Sequence, residues 1–246
     1  MKIWQIYFIE AKYESLRMLR APGFAIPFLL LPVFLFLLFG VVMFGEQAQK
    51  DPGLGRFLFT AFAVFGVMGP GMFAFGATVA NEREHGLLTL KRALPAPPGA
   101  YLLAKMAMAM VFSSLVMGTL IGVAVSIGHV SLTAAQCLGI TAITVVGGLP
   151  FCAIGLFIGT RVTGKSAPAV VNLIYVPMMH VSGLFYPLPK FMQQLAPIWP
   201  SYHLQQLVLS AAGSKATGAS LSHAAVLAGI TVVLGVFAVR RLSRVG

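Results

Sequence analysis

Acidic residues are scarce in this chain: six among 246, against 17 Lys and Arg, with Asp51 the single Asp. Charged residues of both signs reach only 9% and apolar ones 58%, with a mean hydropathy of +0.89. A soluble domain carries about 25% charged residues, so this chain cannot cover its own surface in water. Its solvent is mostly lipid. Cysteine is scarce as well. Cys137 and Cys152 lie 15 residues apart in one apolar run, about 22 Å along a helix, which excludes a bridge between them. Their spacing suits no metal either, and both read as small packing residues.

The runs without formal charge are long. They cover Ala21 to Gly45, Phe57 to Asn81 and the 55 residues from Met106 to Thr160. A transmembrane helix needs roughly 20 apolar residues, so the last run holds two, divided near Gly128-His129-Val130-Ser131. The expected architecture is an all-α integral membrane protein, a single domain over 1–246. Six spans are expected at 22–45, 57–80, 105–128, 133–159, 167–187 and 222–239.

The positive charge of +11 is interleaved with the spans rather than gathered on one face, which excludes nucleic acid as the partner. Thirteen of the Lys and Arg fall on the side of the two termini and the 81–105 and 160–166 loops; only Lys50, Arg56, Lys190 and Lys215 fall on the other. Cationic loops stay on the cytoplasmic side, so both termini are expected there, in a bacterial plasma membrane. The run from Pro22 is too long for a signal-peptide core and no cleavage site follows it. Residues 1–21 instead read as an interfacial amphipathic helix, with Trp4, Phe8, Ala11, Ser15 and Met18 on one arc.

Gly159-Thr160-Arg161-Val162-Thr163-Gly164-Lys165-Ser166 matches the phosphate-binding pattern G-x-x-x-x-G-K-[ST]. That chemistry needs a strand before the loop and an Asp for magnesium. An apolar span precedes the motif here, and Asp51 falls on the far side. The segment reads as a basic loop, and the chain as a non-enzyme with no cofactor of its own.

Gly69-Pro70-Gly71, Gly147-Gly148-Leu149-Pro150 and Pro177 are expected to interrupt the second, fourth and fifth spans. Gly118-x-x-x-Gly122 and Gly155-x-x-x-Gly159 offer close helix approach. No Asp, Glu, Lys or Arg falls mid-span, which argues against an ion-coupled transporter. Asn172 and His180 are the polar residues of span five and the candidates for a substrate path; interhelical hydrogen bonding is the plainer role for each.

Two of the six acids sit together in Glu82-Arg83-Glu84-His85-Gly86, at the head of a short loop. As a helix, 82–94 places Leu87, Leu90 and Leu94 in one sector, and Pro95, Pro97 and Pro98 stop it. At these residues the chain resembles the permease subunits of type 2 ABC exporters, which carry a pattern close to E-R-E-x-G-T-L-x-x-L-x-x-x-P. Glu82, Arg83, Glu84, Gly86, Leu88 and Pro95 match it, while Leu87 stands where Thr is usual and Lys91 where an apolar residue is usual. The resemblance implies a coupling helix over 82–95 that docks on a separate ATPase subunit, which would bind the ATP and magnesium. It also implies a second permease copy and an external re-entrant segment over 187–221. Glu82 and Glu84 are then expected to face basic groups of the ATPase. The cargo would be a hydrophobic or amphipathic molecule: a drug, a lipid or a lipid-linked glycan. An ATP-independent channel or facilitator is the alternative. An intramembrane enzyme would need convergent catalytic groups that these spans do not supply.

Overall fold

The computed structural model describes residues 3–93, 97 and 99–245. Helices in chain order are α1 (Ile3–Leu19), α2 (Pro22–Leu35, continuing as a π-helix through Phe36–Met43), α3 (Gly45–Lys50), α4 (Pro52–Glu84), α5 (Leu87–Ala93) and α6 (Ala100–Ser126). There follow α7 (Ala134–Gly147), α8 (Leu149–Gly159), α9 (Ala167–Val181), α10 (Lys190–Gln193), a 3-10 turn at Ala196–Ile198, α11 (Pro200–Ala211) and α12 (Ser220–Val245). Among the described residues there is no strand.

Helix α4 is the axis of the bundle. The single Asp of the chain starts it: Asp51 accepts from the Gly53 amide at 2.9 Å while Pro52 occupies the first turn. From Leu58 to Gly76 nearly every residue of α4 is buried, as expected of a helix that is apolar all round. α8, α6, α9, α2 and α11 surround it. Gly69-Pro70-Gly71, expected to interrupt it, does not: α4 is continuous over 33 residues. Enclosure by neighbouring helices makes the hydrogen bond lost at Pro70 tolerable. Gly148 does separate α7 from α8, and Thr133 starts α7 through a capping box with Gln136.

Among the described residues, five helices are long and apolar enough to cross a membrane: Pro22–Met43, Pro52–Glu84, Ala100–Ser126, Ala134–Gly159 and Ser220–Ser243. α9 is apolar but has only 15 residues, about 22 Å of helix against a hydrocarbon core of about 30 Å. Span five was expected to reach residue 187; its helix ends at Val181. α1, α5, the head of α6, the loop after α8 and the end of α12 lie at one end of the bundle, here termed the terminal face. α3, α10 and α11 lie toward the other end, and α11 packs back against α12, α4 and α7 with Leu204 and Val208 buried.

The two small-residue pairs behave differently. Gly155 and Gly159 on α8 sit directly against the backbone of α4, whereas nothing lies within 4 Å of a Cβ built at Gly118 or Gly122. The expected close approach is found at the first pair and not at the second. On α1, the expected arc is split: Trp4 and Phe8 are 81% and 71% exposed, while Glu14 and Met18 face the protein. The helix lies along α6, with its aromatic side left for lipid or the interface.

Candidate functional site

The Glu82–Gly86 patch is the hinge between α4 and α5. α4 carries Glu82, Arg83 and Glu84 on its last turn and stops at His85. Gly86 has a φ of +71°, a left-handed conformation open to glycine at no steric cost. α5 then starts at Leu87 in a new direction. The expected single helix over 82–95 is therefore two pieces, because Gly86 ends the first. Pro95 and Leu94 lie outside the described residues.

Each charged group of the patch has a partner inside the chain. Glu82 is only 6% exposed. Its carboxylate accepts from Arg17 at 2.5 Å, from the Tyr101 hydroxyl at 2.5 Å and from Lys105. Lys105, from the second turn of α6, is fully buried. Its ammonium donates to Glu14 at 2.8 Å, Thr78 at 3.1 Å and Glu82 at 3.3 Å, which uses all three of its protons. Arg17 also reaches Glu14 at 2.8 Å. Two acids and two bases thus close a neutral cluster joining α1, α4 and α6. The expectation that Glu82 meets a partner protein gives way to this burial. Arg17, Glu14 and Lys105 were not singled out in the sequence, although Glu10, Glu14, Glu82 and Glu84 place four of the six acids on one side.

Arg83 and Glu84 tie α4 to the loop after α8. Arg83 donates to the Thr160 carbonyl and, at 2.6 Å, to that of Val162. Glu84 accepts from the Gly164 amide at 2.6 Å. This contact also accounts for the phosphate-loop match. Helix precedes the motif, and the Gly164 amide that such a loop would turn toward phosphate holds a carboxylate of the same chain.

The hinge leaves Leu87 and Leu90 exposed beside the polar Glu84, His85 and Thr89. Leu87 and Leu90 are 40% and 64% exposed, while Leu88 is buried against α4 and α6 neighbours. α5 is held to α1 by the ion pair of Lys91 with Glu10, and Lys91 also lies 5.1 Å from the centre of the Tyr101 ring. On α9, Asn172 and His180 are both exposed on one stripe with Leu173 and Val176; His180 bonds back to the Val176 carbonyl at 2.9 Å.

A second polar cluster lies toward the opposite face. His203 on α11 and His223 on α12 are buried, with their Nδ1 atoms 2.8 Å apart. Their Nε2 atoms meet the carbonyls of Pro197 at 2.8 Å and Thr217 at 2.6 Å, so both Nε2 atoms carry hydrogen. The two Nδ1 atoms then face each other as a hydrogen-bonding pair. Burial holds the His203 imidazole below its ordinary value, the His223 charge adds to that, and the Pro197 bond opposes it. A depressed folded value stabilises the fold above the ordinary imidazole range, and that contribution is lost as pH falls through the folded value. Thermal melts across about pH 5 to 8 should show a drop on the acid limb that the His203→Gln variant flattens, with a loss of about 1.5 kcal/mol at neutral pH. Identical acid limbs in the two proteins would refute the assignment of the acid-side loss to buried His203.

Comparison with known proteins agrees with this architecture. The chain is 26% identical over 193 residues to a protein of Bacillus subtilis (strain 168) named "Putative transport permease YvfS", covering 77% of this chain and 78% of that protein. The profile of the family described as ABC-2 type transporter matches residues 6–212, which includes the α1–α4–α6 ion cluster, the hinge at Gly86 and the α4–α8 contact. The chain is a multi-pass membrane protein and belongs to the ABC-2 type transporter family.

Proposed function

We propose that this chain is the permease half of an ATP-driven exporter in a bacterial plasma membrane, with the terminal face in the cytoplasm. A separate ATPase subunit binds ATP and magnesium, docks on α5 and drives a hydrophobic or amphipathic molecule outward. The observation that supports this is the hinge at Gly86. It presents Leu87 and Leu90 outward from a helix that is fastened to α1 by Lys91 and continues into the central helix α4. Exposed leucines next to the hinge suit an apolar anchor in a partner's groove. The excess of Lys and Arg on the terminal face supports the orientation. A second copy set against the α9 stripe would enclose Asn172 and His180 between two chains, which gives the substrate path its polar points.

The test is a Leu87→Asp/Leu90→Asp variant co-expressed with its ATPase. Losing an anchor of this kind costs about 2 kcal/mol or more, roughly thirtyfold in affinity. Co-purification of the ATPase and export of the carried compound should fall together while the melting midpoint of the permease stays within a few degrees. Retained ATPase and unchanged export would end the docking assignment. Export that continues without any ATPase would favour the channel alternative.

A further inference from the structure

A cleft of about 490 Å³ opens between α8, α9 and α12, within the range of small-molecule sites. Ile154, Phe157, Val170, Ile174, Ile230 and Leu234 form its apolar walls. Trp199 closes one end, and Arg161, the one charged residue of the lining, stands at the other, on the terminal face. Arg161 lies 3.5 Å from the centre of the Phe157 ring and donates to the Phe157 carbonyl at 3.0 Å. Arg241 lies on the same side of α12 as Ile230 and Leu234 by helical spacing. Its Nε donates to the Thr160 carbonyl at 3.1 Å, the same oxygen that Arg83 reaches. Arg161 also reaches the Thr160 hydroxyl at 3.4 Å, so three arginines surround Thr160. Neither Arg161 nor Arg241 has a carboxylate within ion-pair distance among the described residues.

We propose that this cleft holds an anionic phospholipid, with an acyl chain along the apolar walls and the phosphate of its headgroup at Arg161 and Arg241. Basic pockets between membrane helices bind anionic headgroups in this way. Charge decides between this occupant and a second copy of the chain. At the terminal face the acids are already engaged: Glu10, Glu14 and Glu82 in ion pairs and Glu84 on the Gly164 amide. Glu46 and Asp51 lie at the opposite end. A second copy would bring more arginine to the cleft and nothing to neutralise it. The site does not depend on what the chain exports or on the docking of an ATPase.

The chain has two tryptophans, and Trp4 is exposed on α1, so a Trp4→Phe variant leaves Trp199 as the sole reporter. The full chain is reconstituted in vesicles with phosphatidylglycerol or phosphatidylcholine brominated near the ends of the acyl chains. Trp199 should be quenched by the phosphatidylglycerol at a mole fraction about fivefold lower, the factor one arginine contributes at a membrane surface. Arg161→Gln/Arg241→Gln should bring the two lipids level, and Arg161→Lys should keep the preference. Equal quenching by the two lipids in the Trp4→Phe protein overturns the proposal whatever the arginine variants do. Failure of both lipids to quench overturns it in favour of a second copy covering the cleft. A preference that survives loss of both arginines overturns the headgroup assignment.

Discussion

Glu82→Gln is expected to lower the stability of the permease by about 3–5 kcal/mol, the usual cost of removing one partner from a buried ion pair. The substitution leaves Glu14 facing both Arg17 and Lys105, so the cluster carries one uncompensated positive charge. Lys105→Met is expected to cost a similar amount for the opposite reason, since Glu14 and Glu82 then share Arg17 alone. The double variant Glu82→Gln/Lys105→Met leaves Glu14 and Arg17 as a neutral pair, 2.8 Å apart. It should therefore be more stable than the sum of the two single losses allows. Thermal unfolding of the four proteins in one detergent gives the coupling energy directly. Additive losses would mean that the charges do not share one cluster.

The same cluster bears on coupling. Glu82 sits one turn before the hinge, so α4, α1 and α6 are joined where α5 leaves the bundle. A force on α5 reaches α4 through Gly86 and reaches α1 through Lys91 and Glu10. Loss of Glu82 would loosen the join of α4 to α1 and α6 without touching the exposed leucines. Export should then fall in proportion to the folded fraction, whereas the Leu87→Asp/Leu90→Asp variant should fail while fully folded. The two outcomes separate a fastening residue from a docking surface.

The architecture was legible where composition alone decides it. Charge-free runs located the apolar helices, because lipid leaves few alternatives to an apolar helix. Their ends were less legible. α4 runs four residues past the expected end at residue 80, since Glu82 and Glu84 are compensated by groups from α1, α6 and the loop after α8. Lys105 looked like a flanking cation and is fully buried, because Glu14, 91 residues away in sequence, folds back against it. Local pattern carries no record of that pairing. In the sequence Gly86 is one position of a matching motif, while its physical part is to stop α4. The Gly118 and Gly155 pairs have the same spacing, and only the packing of α8 on α4 distinguishes them.

That distinction gives the second large effect. A Cβ at Gly159 would lie 2.5 Å from the Phe75 carbonyl and 2.7 Å from that of Gly76; one at Gly155 would lie 2.6 Å from the Met72 carbonyl. These are backbone atoms of a buried helix and cannot rotate away. Between membrane helices the attraction rests on close packing rather than on exclusion of water, so separation of α4 and α8 removes much of what joins them. Gly159→Leu is expected to cost about 3 kcal/mol or more, the upper end for overpacking. Gly118→Leu and Gly122→Leu, with open space around each Cβ, should change stability by about 0.5 kcal/mol or less. Melting midpoints of the three variants check this, and equal shifts for Gly118→Leu and Gly159→Leu would contradict the α4–α8 contact. Gly159 also precedes Thr160, where Arg83 and Arg241 converge. Forcing α8 away from α4 should withdraw that carbonyl from Arg83 as the melting midpoint falls, while the Gly118 and Gly122 variants keep both.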